Sequence, residues 1–216
     1  MRTLELGILF FIMAFTACTS SVQKKEVDYS CLVNPFIGTD FTGNTYPGAQ
    51  FPFGMVQLSP DNGLPGWDRI AGYYYPDSTI AGFSHTHLSG TGAGDLYDIS
   101  FMPVTVPYKE ADAPLGIYSK FSHKNEKAFA GYYQVWLEDY KINVELTVTP
   151  RCGIQRYTFP AAESAIFLNL RKAMNWDETL DSYVEVVDSM TLRGYRYSNG
   201  WARNQKIYFY TTISKS

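Results

Sequence analysis

Apolar and polar residues alternate with period two through most of the second half of the chain. Residues 132–138 read Tyr-Tyr-Gln-Val-Trp-Leu-Glu, and 141–149 repeat the pattern with Ile142, Val144, Leu146 and Val148 on one face. The Asp139-Tyr140 step between them reads as a hairpin link. Segments 53–59, 98–106, 152–159, 165–170, 183–188, 190–197 and 206–213 continue the series, and no long helical period interrupts it. Short strands at this regular spacing predict an all-β fold, an antiparallel β-sandwich formed as one domain over residues 29–216. The stretch from Asn34 to Asp98 breaks the pattern, being rich in Gly, His, Asp and aromatic residues. Loops of that composition on a rigid sheet are where function concentrates.

The N-terminus follows a different rule. Arg2 precedes an apolar run from Leu6 to Ala17, which is too short to span a bilayer but suits a signal-peptide core, though Glu5 interrupts the usual basic start. The run ends in Phe15-Thr16-Ala17-Cys18, which resembles a bacterial lipobox with Phe15 in place of Leu. The expected organisation is a signal peptide over 1–17, lipidation at Cys18, and a polar tether over 18–28. An ordinary secreted chain with a chance cysteine is the plainer alternative. Either way the protein is exported, and the lipobox places it on a membrane facing the periplasm or the cell surface.

Composition narrows the function classes. The 216 residues carry 18 Lys and Arg against 21 Asp and Glu, a net charge of −3, which is too acidic for a phosphate-backbone binder. Aromatic residues make up 16%, mostly 17 Tyr and 14 Phe, which suits strands and also suits sugar binding. With Cys18 assigned to lipid, Cys31 and Cys152 remain, and both are expected as buried free thiols beside strands. No Cys/His spacing indicates zinc.

Candidate chemistry lies in the irregular stretch. Trp67, Asp68 and Arg69 offer a stacking ring beside a carboxylate and a guanidinium, although a core Trp with a surface ion pair fits the same residues. His85 and His87 would share a face in an extended segment. With Asp95 they could approach a metal, or they could be two hydrogen-bonded histidines in a Gly-rich turn. Asp61, Asp68, Asp95 and Asp98 supply carboxylates, but sequence gives no separations from which an acid/base pair could be argued. The run 90–94 lacks the spacing of a nucleotide-binding loop.

Taken together these segments resemble one family. The match starts at Val33-Asn34-Pro35-Phe36-Ile37-Gly38-Thr39 and passes through Trp67-Asp68-Arg69 and the run from Phe83 to Gly92. It continues at Tyr118 to His123, Gly131-Tyr132-Tyr133 and Arg156 to Pro160, and closes with Gly194-Tyr195-Arg196 and Gly200-Trp201-Ala202-Arg203. The chain resembles the N-terminal domain of family 92 glycoside hydrolases, the calcium-dependent exo-α-mannosidases of gut Bacteroidetes. The resemblance implies a β-sandwich followed by an (α/α)6 catalytic domain that carries the acid, the base and most calcium contacts. It implies hydrolysis of α-mannosidic bonds with inversion, and α-mannoside glycans as the substrate. The expectation is therefore a chain that stops before that catalytic domain, with its sandwich incomplete at the C-terminus. It would contribute Trp67, Asp68, Arg69, His85 and His87 to a sugar pocket, with no catalytic residue and no metal ligand of its own, and would be inactive alone. The alternatives are a stand-alone surface module for mannan or N-glycan mannose, or a docking half for a separately encoded catalytic domain.

Overall fold

A computed structural model describes residues 27–90, 92–112, 115–171 and 177–214. The expected signal peptide, the expected lipidation at Cys18 and most of the expected tether lie outside the described residues. Fourteen strands follow in chain order: β1 (Ala49–Gln50), β2 (Gln57–Asp61), β3 (Thr79–Ile80), β4 (Gly82–Ser84), β5 (Ser100–Thr105), β6 (Ser119–Lys120), β7 (Glu126–Phe129), β8 (Tyr132–Leu137), β9 (Ile142–Val148), β10 (Gly153–Thr158), β11 (Ser164–Asn169), β12 (Glu178–Asp188), β13 (Thr191–Asn199) and β14 (Gln205–Thr212). No α-helix occurs among the described residues; three short 3-10 turns lie at Ser30–Leu32, Trp67–Arg69 and His123–Asn125.

The alternation read from the sequence becomes the inner face of a sandwich. In β8 and β9 the cross-strand pairs Tyr133–Leu146, Val135–Val144 and Leu137–Ile142 are all buried, while Gln134, Glu145 and Asn143 between them point the other way. These strands belong to a four-stranded sheet ordered β10-β9-β8-β7. Its inner face packs on a five-stranded sheet ordered β1-β2-β4-β5-β11, through Leu58, Phe83, Met102 and Val104. Each such side chain contributes about 1.5–3 kcal/mol when fully buried, so this face dominates the stability of the fold. A buried carboxylate is tolerated inside because it is satisfied: Glu126 accepts from Tyr73 Oη (3.0 Å), Tyr133 Oη (2.6 Å) and His123 Nδ1 (2.6 Å).

Strand β5 is buried on both faces, unlike its neighbour β11. The reason is a third layer. A three-stranded sheet ordered β12-β13-β14 lies behind the five-stranded sheet, where Ile207 and Phe209 meet Ile99, Phe101, Leu168 and Leu170. A small β3–β6 pair completes the strands.

Two sequence expectations change. Cys31 and Cys152 are free, as expected, but both are exposed rather than buried. Cys31 sits in the first 3-10 turn, outside the core, and Cys152 in the turn before β10, where its N–H donates to Thr149 Oγ1. The short strands β1, β3, β4, β6 and β7 were not legible, because two to four residues carry too little period to register.

Candidate functional site

The irregular stretch is built downward from a surface turn to a buried support. Trp67, Asp68 and Arg69 form the second 3-10 turn, entered from Gly66. Trp67 is 53% exposed, so the core reading of this residue does not hold. Arg69 is fixed in place: its Nε and Nη2 donate to Asp77 Oδ2 (2.6 Å) and Oδ1 (2.5 Å) as a two-pronged ion pair. That hydrogen-bonded carboxylate raises the Arg69 pKa. The guanidinium also lies over the Tyr74 ring, 4.9 Å from its centre. The Tyr74 phenol is pushed up by desolvation and then by Asp40 and Asp68, so both carboxylates are close to it. Asp40, Asp68, Arg69, Tyr74 and Asp77 thus gather around the turn that presents Trp67.

Below this turn the backbone is anchored at several points. Asn62 uses its amide to donate to Thr79 O (2.7 Å) and accepts from the Tyr74 N–H. Tyr97 Oη donates to Ile70 O (2.5 Å). Gly72 comes closest to the support. It has φ +86°, and a Cβ on it would stand 2.7 Å from Asp61 Oδ1 and 2.9 Å from His87 Cδ2. Only a glycine lets the chain pass over that pair.

His87 is 3% exposed and forms the pair itself. Its Nε2 lies 2.9 Å from Asp61 Oδ1 and 3.1 Å from Ser84 Oγ, and its Nδ1 lies 2.7 Å from Gln57 O. Each ring nitrogen thus has a fixed partner, Asp61 on one side and the Gln57 carbonyl on the other. His87 is therefore a support beneath Gly72 and does not reach the surface. His85 takes different partners: Nδ1 lies 2.7 Å from Ile99 O, and the ring covers Gly153, where a Cβ would come within 2.6 Å of it. Burial lowers the His85 pKa, opposed by its bond to Ile99 O.

Strand β4 ends at Ser84, so the expected shared face of His85 and His87 does not become a joint ligand set. Asp95 is not drawn to them; it accepts from the Ala202 N–H at 2.9 Å. Among the described residues no three His, Cys, Asp or Glu side chains gather as a metal site.

Sequence reasoning missed the latch that holds this region to the third sheet. Arg196 on β13 is 1% exposed. It donates from Nη1 to Asp98 Oδ1 (2.6 Å), from Nη2 to Asp177 Oδ2 (2.5 Å) and from Nε to Thr179 Oγ1 (3.1 Å). Asp98 Oδ2 also accepts from Thr86 Oγ1 (2.6 Å) and Gln205 Nε2 (2.9 Å). Thr86 lies between the two histidines, so the latch fixes their segment. Burial pushes the Asp177 carboxyl up against the opposing pull of Arg196. Leu96, Tyr97 and Ile99 all have φ between 55° and 88°, a conformation that costs such side chains about 1–3 kcal/mol each. The bonds of Tyr97 and Asp98 hold that segment in place. Gly194-Tyr195-Arg196 was visible as a motif, but nothing in sequence points an arginine at a carboxylate 98 positions away.

Packed antiparallel sheets with no α-helix among the described residues define the class of the protein, an all-β sandwich. Comparison with known proteins is more specific. The sequence model of the glycosyl hydrolase family 92 N-terminal domain matches residues 32–216. A family 92 α-mannosidase of Bacteroides thetaiotaomicron, solved in complex with mannoimidazole, superposes with a TM-score of 0.81 at 40% identity, covering 86% of this chain and 25% of that one. An inverting family 92 mannosidase of the same organism gives 0.67 at 29% identity over 87% of this chain and 25% of that one. An uncharacterized secreted glycosidase of Arthroderma benhamiae is 30% identical over 163 residues, 73% of this chain and 20% of the relative. The chain belongs to glycosyl hydrolase family 92 and corresponds to its N-terminal domain. It spans about a quarter of the length of the solved relatives.

Proposed function

We propose that this chain supplies the N-terminal sandwich of an exported, inverting, calcium-dependent α-mannosidase, and that it contributes the Trp67 turn to the sugar pocket. The observation that carries this reading is the exposed Trp67 held beside the Arg69–Asp77 ion pair over the buried His87–Asp61 support. A pyranose presents one apolar face and a rim of hydroxyls. Trp67 offers the matching ring, while Asp68 and Arg69 offer an acceptor and a donor at its edge. Arg69 is already oriented by Asp77, so little side-chain freedom is lost on binding. His87, and His85 through Ile99, act beneath the surface by holding the loops; neither is an acid or base in this role.

Two clefts of about 490 and 400 Å³ open along β12 and across β12–β14, and neither is lined by a residue of the Trp67 turn. The same irregular stretch of chain exposes Ile37, Phe41, Phe51, Phe53 and Met55. Exposed apolar side chains in such number fit a surface that another protein layer covers. The pocket is thus closed by the (α/α)6 catalytic domain, which supplies the acid and base of an inverting hydrolysis. The chain alone is inactive. Calcium belongs to that full enzyme; the described residues gather no three-ligand site for it, and no part of the role given to this chain depends on it. Export is supported by the secreted glycosidase among the relatives and by the apolar leader, with Cys18 as the lipid anchor.

The test joins this chain to the catalytic domain of the Bacteroides α-mannosidase, in place of that enzyme's own N-terminal domain. The chimera should hydrolyse an α-mannoside, and Trp67→Ala should lower kcat/KM by about tenfold or more, the scale of a lost stacking contact with its bound water. Unchanged kcat/KM in the variant would overturn the pocket role.

A further inference from the structure

The outward face of the three-stranded sheet is a regular array. Register aligns Asp181, Tyr197 and Lys206 in one row, Tyr183, Tyr195 and Tyr208 in the next, and Glu185, Arg193 and Tyr210 in the third. The opposite face of the same strands carries Arg196, Ile207 and Phe209 into the protein, so this array looks outward. It contains tyrosine and charged residues and no aliphatic side chain. Tyr183, Glu185, Arg193, Tyr195, Tyr208 and Tyr210 line a shallow, open depression across it.

The rings are not equivalent. Tyr195 and Tyr197 stack on each other at 4.3 Å, and Tyr183 stacks on Tyr195 at 5.7 Å, so these present edges and hydroxyls. Tyr208 stands across Tyr195 and Tyr197 at 60° and 75°, and Tyr210 has no ring contact among the described residues. These two are 66% and 67% exposed, which leaves their faces open. They lie two residues apart on one strand, a spacing of about 6.8 Å, which lets consecutive sugar rings of a chain each meet one. The polar groups are held in place around them. Tyr195 Oη donates to Asp181 Oδ2 (3.0 Å), Arg193 Nε donates to Glu185 Oε2 (2.8 Å), and Lys206 Nζ lies 5.2 Å from the centre of the Tyr197 ring.

We infer that this face binds an uncharged glycan chain, with Tyr208 and Tyr210 as the stacking rings and Asp181, Glu185 and Arg193 as hydroxyl partners. Charge decides the class of ligand. Two carboxylates and two cations cancel across the array, so it gives no net attraction to an anionic or cationic polymer. Tyrosine and arginine also serve protein interfaces, so a second copy of the chain is the competing occupant that the sedimentation arm of the test addresses. Hydroxyl-tipped rings flanked by paired charges offer what a polyhydroxyl chain needs: an apolar plane, and donors and acceptors at its edge. The face is distinct in residues from the Trp67 turn. It gives the enzyme a second hold on a polymeric substrate. Only the choice of α-mannan as probe rests on the mannosidase reading.

Affinity electrophoresis of the full chain in gels containing α-mannan, xylan or β-glucan tests this, with Trp67→Ala as the background so that any contact of that ring is removed throughout. The W67A chain should be retarded by α-mannan. Adding Y208A and Y210A should weaken retardation about tenfold, whereas Y208F and Y210F, which keep the rings, should retain most of it. Circular dichroism of each variant checks the fold, and both positions are exposed. Absence of retardation in the W67A chain, or equal retardation with and without the two tyrosines, would overturn the proposal. Tyrosine-dependent retardation by xylan or β-glucan in place of mannan keeps the site and removes the mannoside reading. A dimer in sedimentation that Y208A and Y210A abolish, without glycan retardation, would show a second copy as the occupant and overturn it.

Discussion

The four-stranded sheet keeps an unbroken register and the three-stranded sheet carries two irregularities in β12, and the two are held by different forces. In β8 and β9 every inward position is apolar, and all but Val148 at the end of β9 are fully buried under the partner sheet. In β13 the inward positions include Gly194, Arg196 and Ser198, and the tightest link is an arginine between two carboxylates. The first arrangement is non-directional and tolerates small shifts. The second fixes one geometry, because each N–H must meet its acceptor. The directional latch lies where placement matters, since Asp98 also holds Thr86 between the two histidines.

The sharpest way to break this comparison is Arg196→Met. It leaves Asp98 and Asp177 buried without their cation, and removing one partner of a buried pair costs about 3–5 kcal/mol. Amide exchange should rise across β12–β14 while β8 and β9 keep their protection. Uniform loss of protection over all sheets would show that the layers form one cooperative unit and would erase the distinction. A matched core change sharpens it from the other side. Leu146→Ala should cost about 2–5 kcal/mol in urea unfolding, whereas Val186→Ala on the open three-stranded sheet should stay within about 0.5 kcal/mol.

Gly72→Ala comes next in size. The added methyl meets Asp61 and His87 in a backbone with positive φ, and a strain of about 1–3 kcal/mol is expected. The change strikes the support rather than either sheet. It should therefore change the Trp67 emission of the folded protein, taken as the difference from a Trp67→Phe chain that keeps Trp136, Trp176 and Trp201, before it alters the midpoint of sheet unfolding. Fluorescence identical to that of the parent would mean that the turn does not rest on the pair.

What could be read in advance follows from how local each signal is. Strands β8 to β11, β13 and β14 were legible because period-two alternation is a property of neighbours in sequence. The turn at Trp67 was legible as a cluster, and its exposure was left open because Trp serves cores and surfaces alike. The separate work of His85 and His87 was not legible. An i, i+2 spacing fixes a common face only inside a strand, and β4 stops at Ser84. The His87–Asp61, Arg69–Asp77 and Arg196–Asp98 pairs span 26, 8 and 98 positions, and pairing at such separations is decided by topology.

The smallest expected effect separates the histidines by titration. Burial holds the His85 pKa below its ordinary value of 6.5, and the nearby His87 adds to this while Ile99 O and Asp61 oppose it. The sign follows from linkage. As pH falls through 6.5, the unfolded chain takes up a proton at this position that the folded chain refuses, so stability falls. The loss has a slope of up to about 1.4 kcal/mol per pH unit until the depressed folded pKa is passed. His85→Gln keeps a side chain over Gly153 without the titration. Urea midpoints of the parent should drop between pH 7 and pH 5, roughly one unfolded-state proton's worth, and those of H85Q should drop less. Equal slopes would assign the proton uptake to another group and leave His85 as a packing residue only.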